Sequence, residues 1–180
     1  MKNLNTLLAG IFLAVALPFG ALVISSQVQL GTLGRAPAED GGPLFPSREP
    51  GLAIQGRAVY ASLGCVSCHT QQVRPAGQGS DIARGYGVRP SVARDYSQQK
   101  QVLLGDRRIG PDLANYGARS KDVAGIHLAI LHKGDDGKDR YAFLYSGAKH
   151  EVPSERAIAL AAYLQSLRQD YSSPEAKLKQ

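Results

Sequence analysis

The stretch "GCVSCHT", residues 64–70, holds both cysteines of the 180-residue chain and one of its four histidines. Cys65 and Cys68 lie about one helical turn apart, and His69 follows directly. A thioredoxin-like cysteine pair needs a surrounding βαβ pattern, which this sequence lacks. A zinc site needs four ligands and usually a second Cys-x-x-Cys, which a chain with two cysteines cannot provide.

The remaining chemistry is covalent attachment of haem. Cys-x-x-Cys-His is the signature of c-type haem attachment, although the pattern also occurs by chance in proteins without haem. Cys65 and Cys68 can form thioethers to the two vinyl groups of one porphyrin, and His69 is then placed to coordinate the iron. Thioether formation also consumes both thiols, as an exported chain in an oxidising compartment requires. The motif therefore predicts one covalent haem c.

The N-terminus predicts a membrane anchor. No charged side chain occurs between Asn3 and Gly34, and Leu7–Ile24 is almost entirely apolar. At about 1.5 Å per residue, this length just crosses a hydrocarbon core of roughly 30 Å. The alternative is a cleaved signal peptide, but the exit "VISSQVQL" has no good Ala-x-Ala site. Lys2 before the span is a weak positive-inside cue that leaves the rest of the chain on the outer side of the membrane. We expect a single-pass protein of the bacterial cytoplasmic (inner) membrane, with its domain on the periplasmic side.

The chain divides into four predicted parts. Residues 1–26 form the transmembrane anchor, 27–50 a linker rich in Pro, Gly and both charge signs, 51–171 one domain, and 172–180 a C-terminal tail. The net charge of +6 makes the surface basic. No basic cluster with interleaved aromatics accompanies it, so nucleic-acid binding is not expected.

Two helices are predicted to pack beside the motif. The first runs from Gly51 into the motif, and Gly56 would allow another helix to approach closely. Its expected partner is the C-terminal helix, with Ser154 as N-cap. One face of that helix is apolar, at Leu160, Tyr163, Leu164, Leu167 and Tyr171.

A third helix is predicted from Lys121 to His132, ended by Gly134. His127 and His132 are five residues apart and cannot both face one iron. Each imidazole is expected to be partly exposed or hydrogen-bonded to a neighbour, and not to bind the iron.

Five segments together carry a family resemblance: "YASLGCVSCHTQQVRP", "GSDIARGYG", "SVARDY", "GPDLANYGAR" and "YAFLY". They resemble the membrane-anchored mono-haem cytochrome c subunit (subunit II) of cbb3-type cytochrome c oxidases, most strongly from Tyr60 to Arg119. The resemblance implies an all-α fold, namely a class I cytochrome c domain with a long insertion after the haem motif, on one N-terminal transmembrane helix. It also implies that the carbonyl of Pro111 receives the imidazole N–H of His69.

The insertion, Gln71 to Ile109, contains six arginines. Their guanidinium groups could pair with haem propionates, dock the domain on a partner, or remain solvated. Arg74 is the favoured propionate contact.

The resemblance further implies a methionine as second axial ligand, but the one methionine of this chain is Met1. The corresponding position falls near Lys138. The open alternatives are Lys138, His132, His150, water, no ligand, or a ligand from another chain. A lysine or histidine would lower the haem potential relative to methionine, and an open position would admit small gases.

Two functions follow from these observations. The leading hypothesis is single-electron transfer to or from a membrane partner, which would be the catalytic subunit of a haem–copper oxidase or another membrane redox complex. No convergent pair of catalytic groups is evident, so the chain itself is not expected to be an enzyme. The alternative is a haem-based gas-binding or sensor module with an open or exchangeable sixth ligand.

Overall fold

A computed structural model describes residues 2–31, 33–37, 41–120, 122–132, 137 and 139–177. The chain divides into two units, Met1–Gly34 and Arg35–Gln180, and each is described by itself. The predicted limits of anchor, linker, domain and tail remain predictions. The α-helices are α1 (Lys2–Pro18), α2 (Ser25–Leu30), α3 (Gly51–Ser62), α4 (Tyr116–Arg119), α5 (Val123–Ile130) and α6 (Glu155–Ser166), and the strands are β1 (Ala36–Pro37), β2 (Leu44–Phe45), β3 (Tyr145–Ser146) and β4 (Val152–Pro153).

The first unit is a long apolar helix. α1 continues without a break through a π-helical segment, Phe19–Ile24, into α2. The π-helical turns follow Pro18 directly, because proline has no N–H to donate to the carbonyl four residues earlier. The span Asn3–Leu30 has 28 residues and an apolar window of mean hydropathy 2.6. Its length of about 42 Å is sufficient to cross a bilayer core, and it suggests membrane anchoring.

The core of the second unit forms where α3 packs on α6. A Cβ atom at Gly56 would lie 1.8 Å from the carbonyl oxygen of Ala159, so only glycine permits this approach. The predicted close contact at Gly56 is therefore confirmed. The apolar face predicted for the C-terminal helix is also buried, at Leu160, Tyr163, Leu164, Leu167 and Tyr171.

Side-chain caps set the starts of two helices. The hydroxyl of Ser154 accepts a hydrogen bond from the Ala157 N–H at 3.3 Å, which confirms the predicted N-cap of α6. The carboxylate of Asp122 accepts from the Gly125 N–H at 2.6 Å and begins α5. α5 is shorter than the predicted helix, since the cap at Asp122 fixes its first residue. Lys121 and Gly134, the other predicted limits, lie outside the described residues.

The remaining segments of the second unit are irregular. Between α3 and α4 the described chain forms short 3-10 turns, Cys65–Ser67 and Ala93–Tyr96. Within the segment predicted as a linker, β1 pairs antiparallel with β2. Arg35 closes this hairpin by donating to the carbonyls of Leu44 and Pro46, both at 2.9 Å. β3 and β4 form a second hairpin immediately before α6.

Candidate haem-attachment site

The end of α3 positions the cysteine motif. Gly64 adopts a left-handed conformation with φ 72°, which ends the helix and starts the 3-10 turn. Within that turn the His69 N–H donates to the Cys65 carbonyl at 3.0 Å. Cys65 and Cys68 are both half-buried free thiols. The structure thus presents two thiols and one imidazole from a single compact turn.

The His69 ring is held by the segment around Pro111. Its Nδ1 lies 2.9 Å from the Pro111 carbonyl oxygen. Because a carbonyl only accepts, Nδ1 carries the proton in this contact and Nε2 keeps a free lone pair. The Gly110 N–H donates to the Cys68 carbonyl at 3.1 Å, which ties the two segments together. The structure therefore brings His69 and Pro111 together and leaves Nε2 able to bind a metal.

Gly110 leaves the space that the imidazole fills. A Cβ atom at this position would lie 2.2 Å from Cε1 of His69 and 2.5 Å from Nδ1. Any larger residue would displace the ring or the backbone. The segment "GPDLANYGAR" does not by itself indicate this role of Gly110, which only the tertiary contact reveals.

Tyr60 and Asp112 also support the motif, and the sequence analysis assigned neither role. The Tyr60 hydroxyl donates to the His69 carbonyl at 2.9 Å, and its side chain is buried. The Asp112 carboxylate accepts from the N–H groups of Gln72 and Ala114 at 2.9 and 2.8 Å. Burial raises the pKa of Asp112, while these two backbone hydrogen bonds oppose the shift. The signal that could have indicated Tyr60 is its place on the buried face of the helix that enters the motif.

The "YAFLY" segment reaches the first cysteine. The Cys65 thiol lies 4.0 Å from the hydroxyl of Tyr141, a weak hydrogen bond of sulfur. Burial raises the pKa of Cys65, so its thiol is held protonated and is not a reactive thiolate.

Arg74 is engaged within the protein. Its guanidinium donates to both carboxylate oxygens of Asp81, at 2.8 and 2.9 Å. This hydrogen bonding is the main cause of the lowered pKa of Asp81. Arg108 also approaches the same carboxylate, at 3.5 Å. The predicted contact of Arg74 with a haem propionate remains a prediction.

Arg119 is a functional candidate that the sequence analysis missed. Its guanidinium lies over the rings of Tyr86 and Tyr116, at 5.0 and 5.6 Å from their centroids. It donates to the carbonyls of Asp112 and Asn115. Within the described chain its hydrogen bonds go to these carbonyls and not to a carboxylate. An exposed guanidinium in this position is accessible to an anionic group.

The other histidines differ in environment. His127 is half-buried, and its Nδ1 lies 2.8 Å from the Tyr145 hydroxyl. The expected hydrogen bond of this imidazole with a neighbouring side chain is therefore confirmed. His132 is exposed. His150 adopts φ 55°, and its buried Nδ1 has no hydrogen-bond partner in the described part of the chain. Lys138 lies outside the described residues, so the sixth ligand stays open.

Comparison with known families identifies the class of protein. Residues 47–134 match the family model described as cytochrome c oxidase, mono-heme subunit/FixO. The matched segment contains both cysteines, His69 and Pro111, and its class is that of a mono-haem subunit of an oxidase. Through this segment the chain is similar to the mono-heme subunit/FixO family, which confirms the resemblance predicted from the sequence. No curated protein matches the chain.

Proposed function

We propose that the chain carries single electrons through one covalently attached haem c as a subunit of a membrane respiratory haem–copper oxidase. The observation that supports this most directly is the 2.9 Å contact between His69 Nδ1 and the Pro111 carbonyl, beside two free thiols. A haem bound there supplies a ferric–ferrous couple that accepts and releases one electron. The chain itself is an electron carrier in this proposal and not an enzyme.

The residues of the motif fit such a group. Cys65 and Cys68 would provide the thioether links, and His69 would bind the iron through Nε2. The Pro111 carbonyl fixes the tautomer and the orientation of the imidazole and raises its basicity. Gly110 provides the space for the ring, because a Cβ atom there would overlap it.

The arginines can hold the propionates. Arg119 is the stronger candidate, because its hydrogen-bond partners in the described chain are backbone carbonyls and it keeps a full charge to neutralise. Arg74 has already satisfied much of its charge with Asp81. It can contribute through the donors that this ion pair leaves free.

The proposal extends to architecture and location. Residues 51–171 would form a class I cytochrome c domain with a long insertion, carried by the anchor 1–26 through the linker 27–50. The tail would be 172–180. The anchor would lie in the bacterial inner membrane, with the haem domain on the periplasmic side. Electrons would pass between this domain and the catalytic subunit of the complex.

The sixth ligand separates electron transfer from the gas-binding alternative. The family match supports electron transfer and gives no support to the alternative. Carbon monoxide is added to the reduced full-length protein and the visible spectrum is recorded. We expect no rapid change, because an electron carrier retains an internal ligand. A complete and rapid spectral shift would instead favour gas binding.

The direct test of haem attachment is denaturation. Full-length protein is denatured, extracted with acidic acetone, and examined by haem staining and intact mass. We expect the colour and one haem mass to stay with the polypeptide, and Cys65→Ala with Cys68→Ala to lose both. Protein that loses all colour on extraction and has only its polypeptide mass would refute the proposal.

A further inference from the structure

A buried carboxylate lies beside the contact between His69 and Pro111. Asp112 follows Pro111 directly and is 2% exposed. The next N–H along the chain, that of Leu113, donates to the carbonyl of Thr70 at 2.9 Å, and Thr70 in turn follows His69. Asp112 is therefore fixed next to the residues that orient the imidazole.

Both oxygens of this carboxylate accept hydrogen bonds from the backbone. Oδ2 accepts from the Gln72 N–H at 2.9 Å, and Oδ1 accepts from the Ala114 N–H at 2.8 Å. A protonated acid would need an acceptor for its own hydrogen, whereas two N–H donors match the ionised group. Burial and the charge of Asp81 raise the pKa of Asp112, while the two hydrogen bonds and the charge of Arg108 lower it. The arrangement therefore fits a negative charge at neutral pH.

Asp112 forms no ion pair within the described part of the chain, although three arginines lie near it. Arg74 and Arg108 direct their guanidinium groups to Asp81. Arg119 donates to the backbone carbonyl of Asp112. A buried charge without a direct partner is costly, and such groups are concentrated at functional sites. The charge of Asp112 therefore needs an explanation beyond hydrogen bonding.

A negative charge in this position opposes electron uptake. Reduction of a haem bound through His69 adds one electron, and so one negative charge, with no bond made or broken in the chain. Water and salt screen a buried charge much less than an exposed one, so the Asp112 carboxylate repels the added electron through the protein interior. Such repulsion favours the oxidised haem, which lowers its reduction potential.

We propose that the Asp112 carboxylate is a fixed buried charge that lowers the reduction potential of the haem bound through His69. The proposal rests on the proposed function, which supplies the haem. It gives Asp112 a role in electron transfer that is separate from the hydrogen bonds by which it supports the motif. The other charged groups that act on this carboxylate are kept in every variant of the test, namely Asp81, Arg74, Arg108 and Arg119.

Redox titration of the full-length protein tests the proposal. The natural chain, Asp112→Asn and Asp112→Glu are purified in detergent with their attached haem, and the haem spectrum is followed against electrode potential at neutral pH. At the potential that leaves the natural protein half reduced, the ratio of reduced to oxidised haem in Asp112→Asn should be about tenfold higher. Asp112→Glu keeps the charge, so its ratio should stay within about twofold of the natural value.

The matched control is Asp106→Asn, which makes the same change of charge at an exposed residue of the insertion. Because water and salt screen an exposed carboxylate, the ratio should change by less than about twofold. Haem absorbance and thermal unfolding verify that each variant is folded and keeps its haem. A purely structural role of Asp112 would lower stability or haem content and leave the potential of the attached haem unchanged.

The outcomes that overturn the proposal are distinguishable from failure of the proposed function. An unchanged ratio in Asp112→Asn, or an equal change in Asp106→Asn or Asp112→Glu, refutes the role of Asp112 while haem attachment stands. If Asp112→Asn takes up no haem, Asp112→Ser, which still offers an acceptor to the Ala114 N–H, is titrated in its place. Loss of haem from both neutral variants also overturns the proposal, because Asp112 then serves attachment alone. Natural protein without attached haem refutes the proposed function and this proposal together.

Discussion

The haem motif and the arginine-rich insertion are neighbours in sequence, but different forces hold them. The motif is fixed by neutral contacts, namely the His69–Pro111 hydrogen bond and the space left by Gly110. The insertion is fixed by charge. Asp81 and Asp95 are each at most 4% exposed. Each carboxylate accepts two hydrogen bonds from one guanidinium group, that of Arg74 or Arg89.

This difference determines what each region tolerates. A close-packed neutral contact is lost when a methyl group is added, whereas a buried ion pair is lost when one charge is removed. The Arg74–Asp81 ion pair should also weaken when strong acid protonates Asp81, because hydrogen bonding from Arg74 lowers the pKa of this carboxyl group. Four predictions test this comparison.

The largest effect is expected from Asp95→Asn. The side chain of Asp95 is fully buried and its partner Arg89 is 11% exposed, so the variant leaves an uncompensated buried cation. We expect the free energy of unfolding to fall by about 3–5 kcal/mol. The measurement is urea unfolding of the detergent-solubilised full-length protein.

The matched control is Asp106→Asn, since Asp106 is an exposed residue of the same insertion. It should change stability by less than about 0.5 kcal/mol. Equal losses for the two variants would contradict the view that buried ion pairs hold the insertion.

Gly110→Ala is expected to have the next largest effect. The new Cβ atom would overlap the His69 ring at 2.2 Å, so the ring or the backbone must move. We expect a loss of about 1–3 kcal/mol, with less haem incorporated per polypeptide. Gly51→Ala is the control, because a Cβ atom there meets nothing within 4 Å. Full haem incorporation in Gly110→Ala would show that the imidazole is not confined as described.

Acid should weaken the attachment of the C-terminal segment at Glu175. Hydrogen bonding from Arg94 is the main cause that lowers the pKa of Glu175 from 4.5 to about 2. Because the folded pKa is depressed, the stabilisation is present above pH 4.5 and is lost as pH falls towards 2. The measurement is the pH dependence of unfolding for the natural chain and for Glu175→Gln. Identical acid slopes for the two proteins would rule out this contribution.

The smallest effect is expected from Arg168→Ala. Arg168 and Asp170 form an ion pair 2.7 Å apart, but their side chains are 55% and 36% exposed. Water and salt screen such a pair, so the loss should stay below about 1 kcal/mol. Thermal unfolding at low and high salt measures it. A loss comparable to that of Asp95→Asn would mean that burial does not decide the strength of these pairs.

Local patterns predicted much of the fold. The apolar run gave the N-terminal helix, Ser154 gave the start of α6, and Gly56 gave the contact between α3 and α6. Each of these depends on spacing along the chain or on one residue type with a single physical use. The shorter extent of α5 and the hairpin at residues 36–45 were not predicted, because a helix cap and a two-residue ladder leave little periodic signal.

By itself, the sequence determined which reactive groups lie together, namely two thiols and an imidazole within five residues. It also determined an apolar segment long enough to cross a bilayer. Spacing along one short turn is sufficient to bring the two thiols and the imidazole together, because no distant part of the chain is needed to place them. Only the tertiary structure decided which distant partners they and the arginines meet. The contacts of Arg74 with Asp81, of Arg119 with the Tyr86 ring, and of Gly110 with His69 depend on how irregular segments pack against one another. Such packing leaves no periodic pattern in the sequence.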